Sequence, residues 1–126
     1  MHRVMPGLRG WPRPWIDWRI AVLGYSMGGE SALSIVERGS KFAAAIAYYP
    51  WSRGHSAVVN APTLILIGAE DNHAPAAFCR EMVASPHEGG AAINLIVYPG
   101  AHHNFNFRVL TGPLCASKSA ALERAA

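Results

Sequence analysis

Short, almost uninterrupted apolar runs recur along the chain and are separated by stretches of mixed polarity. The runs occupy residues 19–24, 42–49, 62–68 and 92–98. Apolar residues at successive positions, over this length and with many β-branched side chains, are typical of strands that are buried on both faces of a parallel sheet. The pattern therefore predicts four strands.

Helices are predicted after the first and the third of these strands. Residues 27–38 have apolar side chains at helical spacing and are followed by Gly39, a common helix stop. Pro75 can open a second helix that runs to about residue 83, because proline at the first helical position loses no hydrogen bond. Strands that alternate with helices predict an α/β domain whose parallel strands are joined by right-handed crossovers.

The chain divides into three parts by composition. Its 126 residues suffice for one domain and are too few for two. Residues 1–18 are rich in Pro, Trp and Arg without any period, so we expect an irregular lead-in there. Residues 19–107 contain all four predicted strands and form the expected domain. Residues 108–126 form a tail whose Ala, Leu, Glu, Lys and Arg content favours one last helix.

Composition and charge exclude several classes of protein. With 51% apolar and 15% charged residues, the chain is neither a disordered tail nor a coiled coil. The net charge is +3, and the early arginines are interrupted by prolines, so no patch for nucleic acid is expected. No apolar run reaches the length of about 18 residues that a membrane span needs. Cys79 and Cys115 form no disulfide framework, and we expect a cytoplasmic protein.

A serine lies in the turn between the first predicted strand and the first predicted helix. A G-x-S-x-G sequence in this position is the nucleophile elbow of serine hydrolases, in which small flanking residues avoid collision with neighbouring chain. Ser26 is therefore the candidate nucleophile, and the backbone N–H of Met27 is the candidate oxyanion donor. The alternative is a plain turn in which Ser26 caps the helix. The sequence is Gly24-Tyr25-Ser26-Met27-Gly28-Gly29.

A nucleophilic serine needs a base and an orienting acid, expected in the order serine, acid, histidine. Asp71 follows the strand at 62–68 and is the preferred acid, with Glu70 as its competitor. The alternative is that Asp71 only caps the next helix. The strand at 92–98 is followed by the adjacent His102 and His103, which compete for the role of base.

Other histidines and the aromatic residues at strand ends complete the candidates. His73, beside the acid, and His55, in a loop, are weaker candidates for the role of base. The side chains of the adjacent His102 and His103 diverge and the chain has no histidine pattern of fixed spacing, so no metal site is expected.

Tyr25 is a candidate for the pocket wall and equally a candidate for core packing. Trp51 and Phe105 are candidates for an apolar acyl-binding site, although aromatic residues near strand ends are more often core residues. A nucleotide-binding alternative is not supported, because the chain contains no G-x-G-x-x-G sequence.

Three segments together resemble the dienelactone hydrolase family of α/β-hydrolases. They are the elbow at 24–29, the run 62–71 with Pro75, and the run 98–105, and the overall resemblance covers residues 17–107. The resemblance assigns the nucleophile to Ser26 and the acid to Asp71. It assigns the base to His103, because the family usually has glycine where His102 stands and phenylalanine two residues after the base.

The resemblance also implies an activity. The family hydrolyses small carboxylic esters or lactones without a metal or organic cofactor. Its founding members carry cysteine as the nucleophile, so Ser26 indicates the broader ester-hydrolase branch.

The resemblance further implies that this chain is a partial α/β-hydrolase domain. The family's strands before the nucleophile, and the loop that supplies a second oxyanion N–H, are not among these residues. We therefore expect the strand at 19–24 to be a sheet edge that a second copy or a complementing partner covers. Two hypotheses follow. The chain is a serine hydrolase completed in this way, or it is a truncated, catalytically silent relative with a binding or association role.

Overall fold

A computed structural model of the chain describes residues 20–39 and 41–107. Within these ranges lie four strands and two helices, with a helix after the first and the third strand, which confirms the predicted α/β class. In chain order they are β1 (Ala21–Tyr25), α1 (Met27–Glu37), β2 (Ala44–Tyr48), β3 (Thr63–Gly68), α2 (Ala76–Ala84) and β4 (Ile93–Tyr98). The predicted boundaries of these elements hold to within two residues.

The four strands form one parallel sheet in the order β1-β2-β3-β4. The register aligns Leu23 with Ile46, and Ile46 with Leu64. Because all strands run the same way, their carboxyl ends lie along one edge of the sheet. The segments that follow the four strands therefore meet there, and open α/β sheets build their sites at this edge.

The core lies between the sheet and the two helices. Helix α1 packs against β1 and β2, and α2 packs against β3 and β4. Strand β3 is the most deeply buried strand, and its Ile65 and Ile67 are fully buried together with Leu33 of α1 and Cys79 of α2. Each such side chain stabilises the fold by about 1.5–3 kcal/mol on burial, so the packed sheet is a rigid base for the segments at its carboxyl edge.

Strand β1 is one edge of the sheet that the described residues form. Its Leu23 is 48% exposed and the preceding Ile20 is 41% exposed. The apolar run alone predicted a strand buried on both faces, and that is wrong within residues 20–39 and 41–107. The resemblance predicted a sheet edge, and β1 is an edge of the sheet that these residues form. That a second copy or a partner covers this edge stays a prediction.

Some expectations from the sequence fall outside the described ranges. The irregular lead-in at 1–18 and the final helix within 108–126 both lie there, so they stay predictions. Neither helix within residues 20–39 and 41–107 has the length and apolar character that crossing a membrane requires.

Candidate active site

Ser26 forms the junction between β1 and α1 in a backbone conformation that side chains rarely adopt. Its φ is 54° and its ψ is −116°, and such strained geometry in a non-glycine residue clusters at functional sites. Backbone hydrogen bonds hold the turn: the N–H of Ser26 donates to the carbonyl of Tyr48 at 3.0 Å, and its carbonyl accepts from the N–H of Glu30 at 3.1 Å. The Ser26 side chain makes no capping hydrogen bond to α1, unlike the plain capping turn considered above.

Two glycines make this turn sterically feasible. A Cβ at Gly24 would lie 1.9 Å from the carbonyl oxygen of Gly28, and a Cβ at Gly29 would lie 2.8 Å from that of Tyr48. A Cβ at Gly28 would meet nothing within 4 Å. The expectation that bulk on either side of the serine collides with the chain therefore holds for Gly24 but is wrong for Gly28. Gly29, one residue later, is the second tight position.

The structure places His103 next to Ser26. The Oγ of Ser26 lies 3.0 Å from Nε2 of His103. His103 follows β4, the strand farthest from β1, so its loop must cross the carboxyl edge of the sheet. The crossing is close to the backbone of β3, since a Cβ at Gly68 would lie 2.2 Å from the carbonyl oxygen of Ala101. That same carbonyl accepts from the N–H of Glu70 at 2.9 Å, which fixes the path of the loop.

Asp71 lies on the other side of the imidazole. Its Oδ2 is 2.7 Å from Nδ1 of His103, and its side chain is fully buried. Its Oδ1 accepts hydrogen bonds from the backbone N–H groups of His73 at 2.9 Å and Ala74 at 2.7 Å. The capping alternative is therefore partly right, because one carboxylate oxygen holds the turn before α2 while the other faces His103. The competing Glu70 is exposed.

The remaining histidines occupy other positions. The ring of His73 lies 5.0 Å from that of His103, centroid to centroid. His55 lies against α1, with its Nδ1 2.8 Å from Oε1 of Glu37. Of the two adjacent histidines that follow β4, His103 is the one that contacts both Ser26 and Asp71. Among residues 20–39 and 41–107, no group of three or more His, Cys, Asp and Glu side chains is arranged to hold a metal ion.

Met27 is the first residue of α1, directly after Ser26. The first N–H groups of a helix have no partner within the helix, and they lie at its positive end. The Met27 backbone N–H is therefore suited to an anion that forms at Ser26. Its side chain is 80% exposed.

The three aromatic residues expected at an acyl-binding wall lie in different environments. Tyr25 is partly exposed and stacks on Tyr48 with ring centroids 4.8 Å apart. Trp51 is partly exposed and packs edge-on against Phe78 of α2 at 5.1 Å. Phe105 is buried in the main core, which is the alternative that the sequence left open for it.

Sequence reasoning missed Tyr49, which follows β2 and is fully buried. Its ring centroid is 4.6 Å from that of His103, and its hydroxyl donates to Oδ1 of Asn106 at 2.8 Å. Burial raises the pKa of Tyr49 well above its ordinary value, with smaller contributions from Tyr25, Tyr48 and Asp71. The one signal in the sequence was its position at the carboxyl end of a predicted strand.

The sheet, its strand order and the strand–turn–helix that carries Ser26 define a partial α/β-hydrolase fold. The sequence matches the family model of the dienelactone hydrolase family over residues 13–125. The chain belongs to that family, as the resemblance in its sequence predicted. A comparison with curated proteins found no match.

Solved structures agree on the fold. A protein from Klebsiella pneumoniae subsp. pneumoniae MGH 78578, described as a dienelactone hydrolase, is 23% identical with a TM-score of 0.58, over 82% of this chain and 48% of its own. Esterase 2 of Thermogutta terrifontis, phosphoramylated by tabun, is 22% identical with a TM-score of 0.57, and the match covers 82% of this chain and 53% of the esterase. A puromycin hydrolase is 20% identical with a TM-score of 0.60, and the match covers 86% of this chain and 21% of the puromycin hydrolase. The chain thus spans about half of the first two proteins and a fifth of the third.

Proposed function

We propose that the chain is a serine hydrolase that cleaves small carboxylic esters or lactones. The observation that carries the proposal is the continuous hydrogen-bonded series from Ser26 Oγ through the His103 imidazole to Asp71 Oδ2, with distances of 3.0 and 2.7 Å. A nucleophile within reach of a base, which a buried acid orients, is the arrangement that acyl transfer requires. Membership of the dienelactone hydrolase family supports the same chemistry.

In the first half of the reaction, Ser26 becomes acylated. As Oγ forms a bond to the substrate carbonyl carbon, its proton passes to Nε2 of a neutral His103, and the carbonyl oxygen becomes an oxyanion. The carboxylate of Asp71 accepts from the Nδ1–H, which keeps Nε2 unprotonated before the attack and stabilises the imidazolium afterwards. The carbon–oxygen bond to the alkoxy group then breaks, and the departing oxygen takes the proton from His103.

In the second half, water replaces the alcohol. His103 removes a proton from a water molecule that attacks the acyl carbon, and a second oxyanion forms. Its collapse breaks the bond to Ser26 Oγ, which recovers the proton from His103, and the carboxylic acid leaves. For a lactone the alcohol and the acid are two ends of one product.

The oxyanion in both steps is assigned to the backbone N–H of Met27. This N–H immediately follows the nucleophile and belongs to the helix terminus, where a negative charge is stabilised. A single oxyanion donor typically contributes about a hundred- to a thousand-fold in rate.

We place the acyl group of the substrate against Tyr25 and Trp51. Each is an aromatic residue with an exposed face, 40% and 41% of the residue respectively, and each lies at or after the carboxyl end of a strand. Phe105 is buried and, in this proposal, packs in the core beneath the site and does not contact the substrate. The names of two structural relatives, a dienelactone hydrolase and an esterase, favour a substrate of the ester or lactone class.

The test is hydrolysis of p-nitrophenyl acetate by the wild type and by three variants. We expect Ser26→Ala and His103→Ala each to lower kcat/KM by about a thousand-fold or more. His102→Ala is the matched control and should stay within a few-fold of the wild type. Wild-type turnover equal to that of Ser26→Ala would overturn the proposal in favour of the catalytically silent alternative. Equal losses in His102→Ala and His103→Ala would overturn the assignment of the base.

A further inference from the structure

Tyr49 occupies a backbone conformation that is costly for a tyrosine. Its φ is 38°, in the left-handed region, and its side chain is fully buried. Its N–H donates to the carbonyl of Leu66 at 2.7 Å, which fixes the residue to the end of β3. Such a conformation is energetically unfavourable for a bulky residue and persists only where the surroundings impose it. The fold therefore holds this ring in one place at an energetic cost.

The ring that is held in this way lies against the imidazole of His103. The centroids are 4.6 Å apart at an interplanar angle of 57°. Phe105 packs against the same tyrosine ring, edge to face, at 5.7 Å. Tyr49 thus contacts two residues of the loop that follows β4.

The hydroxyl of Tyr49 binds a third residue of that loop. It donates to Oδ1 of Asn106 at 2.8 Å. The loop turns sharply here, with Asn104 at a φ of 58° and the N–H of Phe107 donating to the Asn104 carbonyl at 3.0 Å. The hydrogen bond therefore anchors the turn that carries His103 to the residue that follows β2.

The geometry of the sheet explains why this loop needs an anchor. His103 follows β4 and must reach Ser26 after β1, across three strand spacings, or about 14 Å. The two strands that are crossed each supply one support at their carboxyl ends. After β3, Asp71 binds Nδ1 of the imidazole, and after β2, Tyr49 packs against its ring.

We propose that Tyr49 is a positioning residue that fixes the imidazole of His103 in line between Ser26 and Asp71. It acts through its ring contact with His103 and through its hydrogen bond to Asn106. The inference rests on the proposed serine hydrolase function and adds to it, beside Asp71, a second residue that supports His103. The competing explanation is that Tyr49 only fills the core.

The variants separate the two explanations. Tyr49→Phe keeps the ring and removes the hydrogen bond, and Asn106→Ala removes the other partner. The double variant completes a cycle. Tyr98→Phe is the matched control, because it also removes a hydroxyl from a tyrosine packed on Phe105, with ring centroids 5.1 Å apart.

The first readout is the second-order rate at which a fluorophosphonate probe labels Ser26, followed by intact mass. In this reaction the serine oxygen bonds to phosphorus, fluoride leaves and the proton passes to His103. We expect Tyr49→Phe and Asn106→Ala each to slow labelling by about ten-fold or more, since small misplacements of a catalytic group have large effects on rate. The double variant should be no slower than either single variant, because one hydrogen bond is lost in all three. With p-nitrophenyl acetate the loss should fall on kcat and leave KM unchanged.

The second readout does not require activity. The Nδ1 proton of His103, hydrogen-bonded to Asp71, is followed by NMR in the full chain with labelled histidine and is assigned with His103→Ala. We expect this resonance to broaden or shift in Tyr49→Phe and Asn106→Ala, and to be unchanged in Tyr98→Phe. A lower Tm in Tyr49→Phe with a wild-type labelling rate and an unchanged resonance would overturn the proposal.

The two proposals fail in different ways. If the wild type is not labelled by the probe, the hydrolase proposal fails, and the resonance alone decides whether Tyr49 positions His103. If the wild type is labelled and Tyr49→Phe is labelled equally fast, only the positioning role is overturned.

Discussion

Ser26 and His103 lie 3.0 Å apart, Oγ to Nε2, although 77 positions separate them in the chain. They follow the two outermost strands of the described sheet, so the contact depends on a loop that returns across the sheet edge. The loop passes so close to β3 that only glycine fits at position 68, where a Cβ would lie 2.2 Å from the Ala101 carbonyl oxygen. The contact between Ser26 and His103 therefore depends on all the segments that meet at the carboxyl ends of the strands, and each of these segments can be tested by substitution.

The acid can be tested apart from its structural role. Asp71→Asn keeps an oxygen for the N–H groups of His73 and Ala74 but presents an amide to Nδ1 of His103. This favours the tautomer with its proton on Nε2, which cannot accept the proton of Ser26. We expect kcat for p-nitrophenyl acetate to fall by about a thousand- to ten-thousand-fold, with little change in Tm.

The matched variant for this prediction is Asp71→Ala. It leaves both backbone N–H groups without an acceptor and should lower the free energy of unfolding by about 1–3 kcal/mol. Asp71→Asn with wild-type kcat, measured well below its Tm, would show that the carboxylate does not orient His103.

The elbow glycines provide a test of stability. Gly24→Ala places a Cβ 1.9 Å from the Gly28 carbonyl oxygen, and because backbone must move, we expect a loss of about 1–3 kcal/mol or more. Gly28→Ala meets nothing within 4 Å and replaces glycine in the first turn of α1, which should stabilise the protein by about 0.5–1 kcal/mol. Urea unfolding measures the free energy of unfolding of both variants, and an unchanged m-value shows that the difference lies in stability. Equal destabilisation by the two alanines would contradict this description of the turn.

Two acidic residues of α1 differ in how they bind the loop after β2. Oε1 of Glu37 lies 2.8 Å from Nδ1 of His55 and accepts the N–H of Ser56 at 2.7 Å. Oε1 of Glu30 lies 3.8 Å from Nε2 of the same histidine and is more exposed. We expect Glu37→Ala to lower the free energy of unfolding by about 1–3 kcal/mol, and Glu30→Ala by less than about 0.5 kcal/mol.

This comparison is made by urea unfolding at neutral pH. The same variants should hydrolyse p-nitrophenyl acetate as fast as the wild type, because neither side chain contacts the proposed catalytic residues. A larger loss of stability in Glu30→Ala would show that the weaker contact holds the loop.

The regular elements were predictable because their signals are local. Apolar runs predicted all four strands, helical spacing predicted α1, and Pro75 marked the start of α2. The turn at Ser26 could be predicted because its glycines and serine are consecutive. The apolar run of β1 by itself predicted burial on both faces and was wrong, because a single run does not show which strand lies beside it. The edge position of β1 in the described sheet followed instead from the family resemblance.

The parts of the candidate site that the sequence did not reveal depend on backbone conformation and on distant contacts. Nothing local distinguishes Gly28 from Gly29, whose difference comes from the nearby Tyr48 carbonyl. Tyr49 looks like a core aromatic residue, and its positive φ and its bond to Asn106 arise only when β2 and the loop after β4 are brought together.

The buried thiol of Cys79 predicts how stability depends on pH. Burial raises the pKa of Cys79 above its ordinary 9.0; the Ser52 hydroxyl, which is hydrogen-bonded to the sulfur, opposes the shift, and the charge of Asp71 adds to it. The native protein therefore keeps the thiol proton at a pH at which the unfolded chain has released it. The resulting stability is fully present below pH 9 and is lost as the pH rises toward the pKa of the thiol in the native protein. Each proton so retained contributes a slope of up to about 1.4 kcal/mol per pH unit.

The measurement is urea unfolding of the reduced protein from pH 7 to pH 10, in a Cys115→Ser background so that one thiol titrates. We expect the free energy of unfolding to be constant near neutrality and to fall above about pH 9. Cys79→Ala should be less stable at neutral pH, because it loses a buried side chain, and its stability should fall less steeply above pH 9. Parallel profiles for the two proteins would show that Cys79 titrates alike in the native and the unfolded state. Ser52→Ala removes the hydroxyl that opposes the shift, so its decline should be at least as steep as that of the parent.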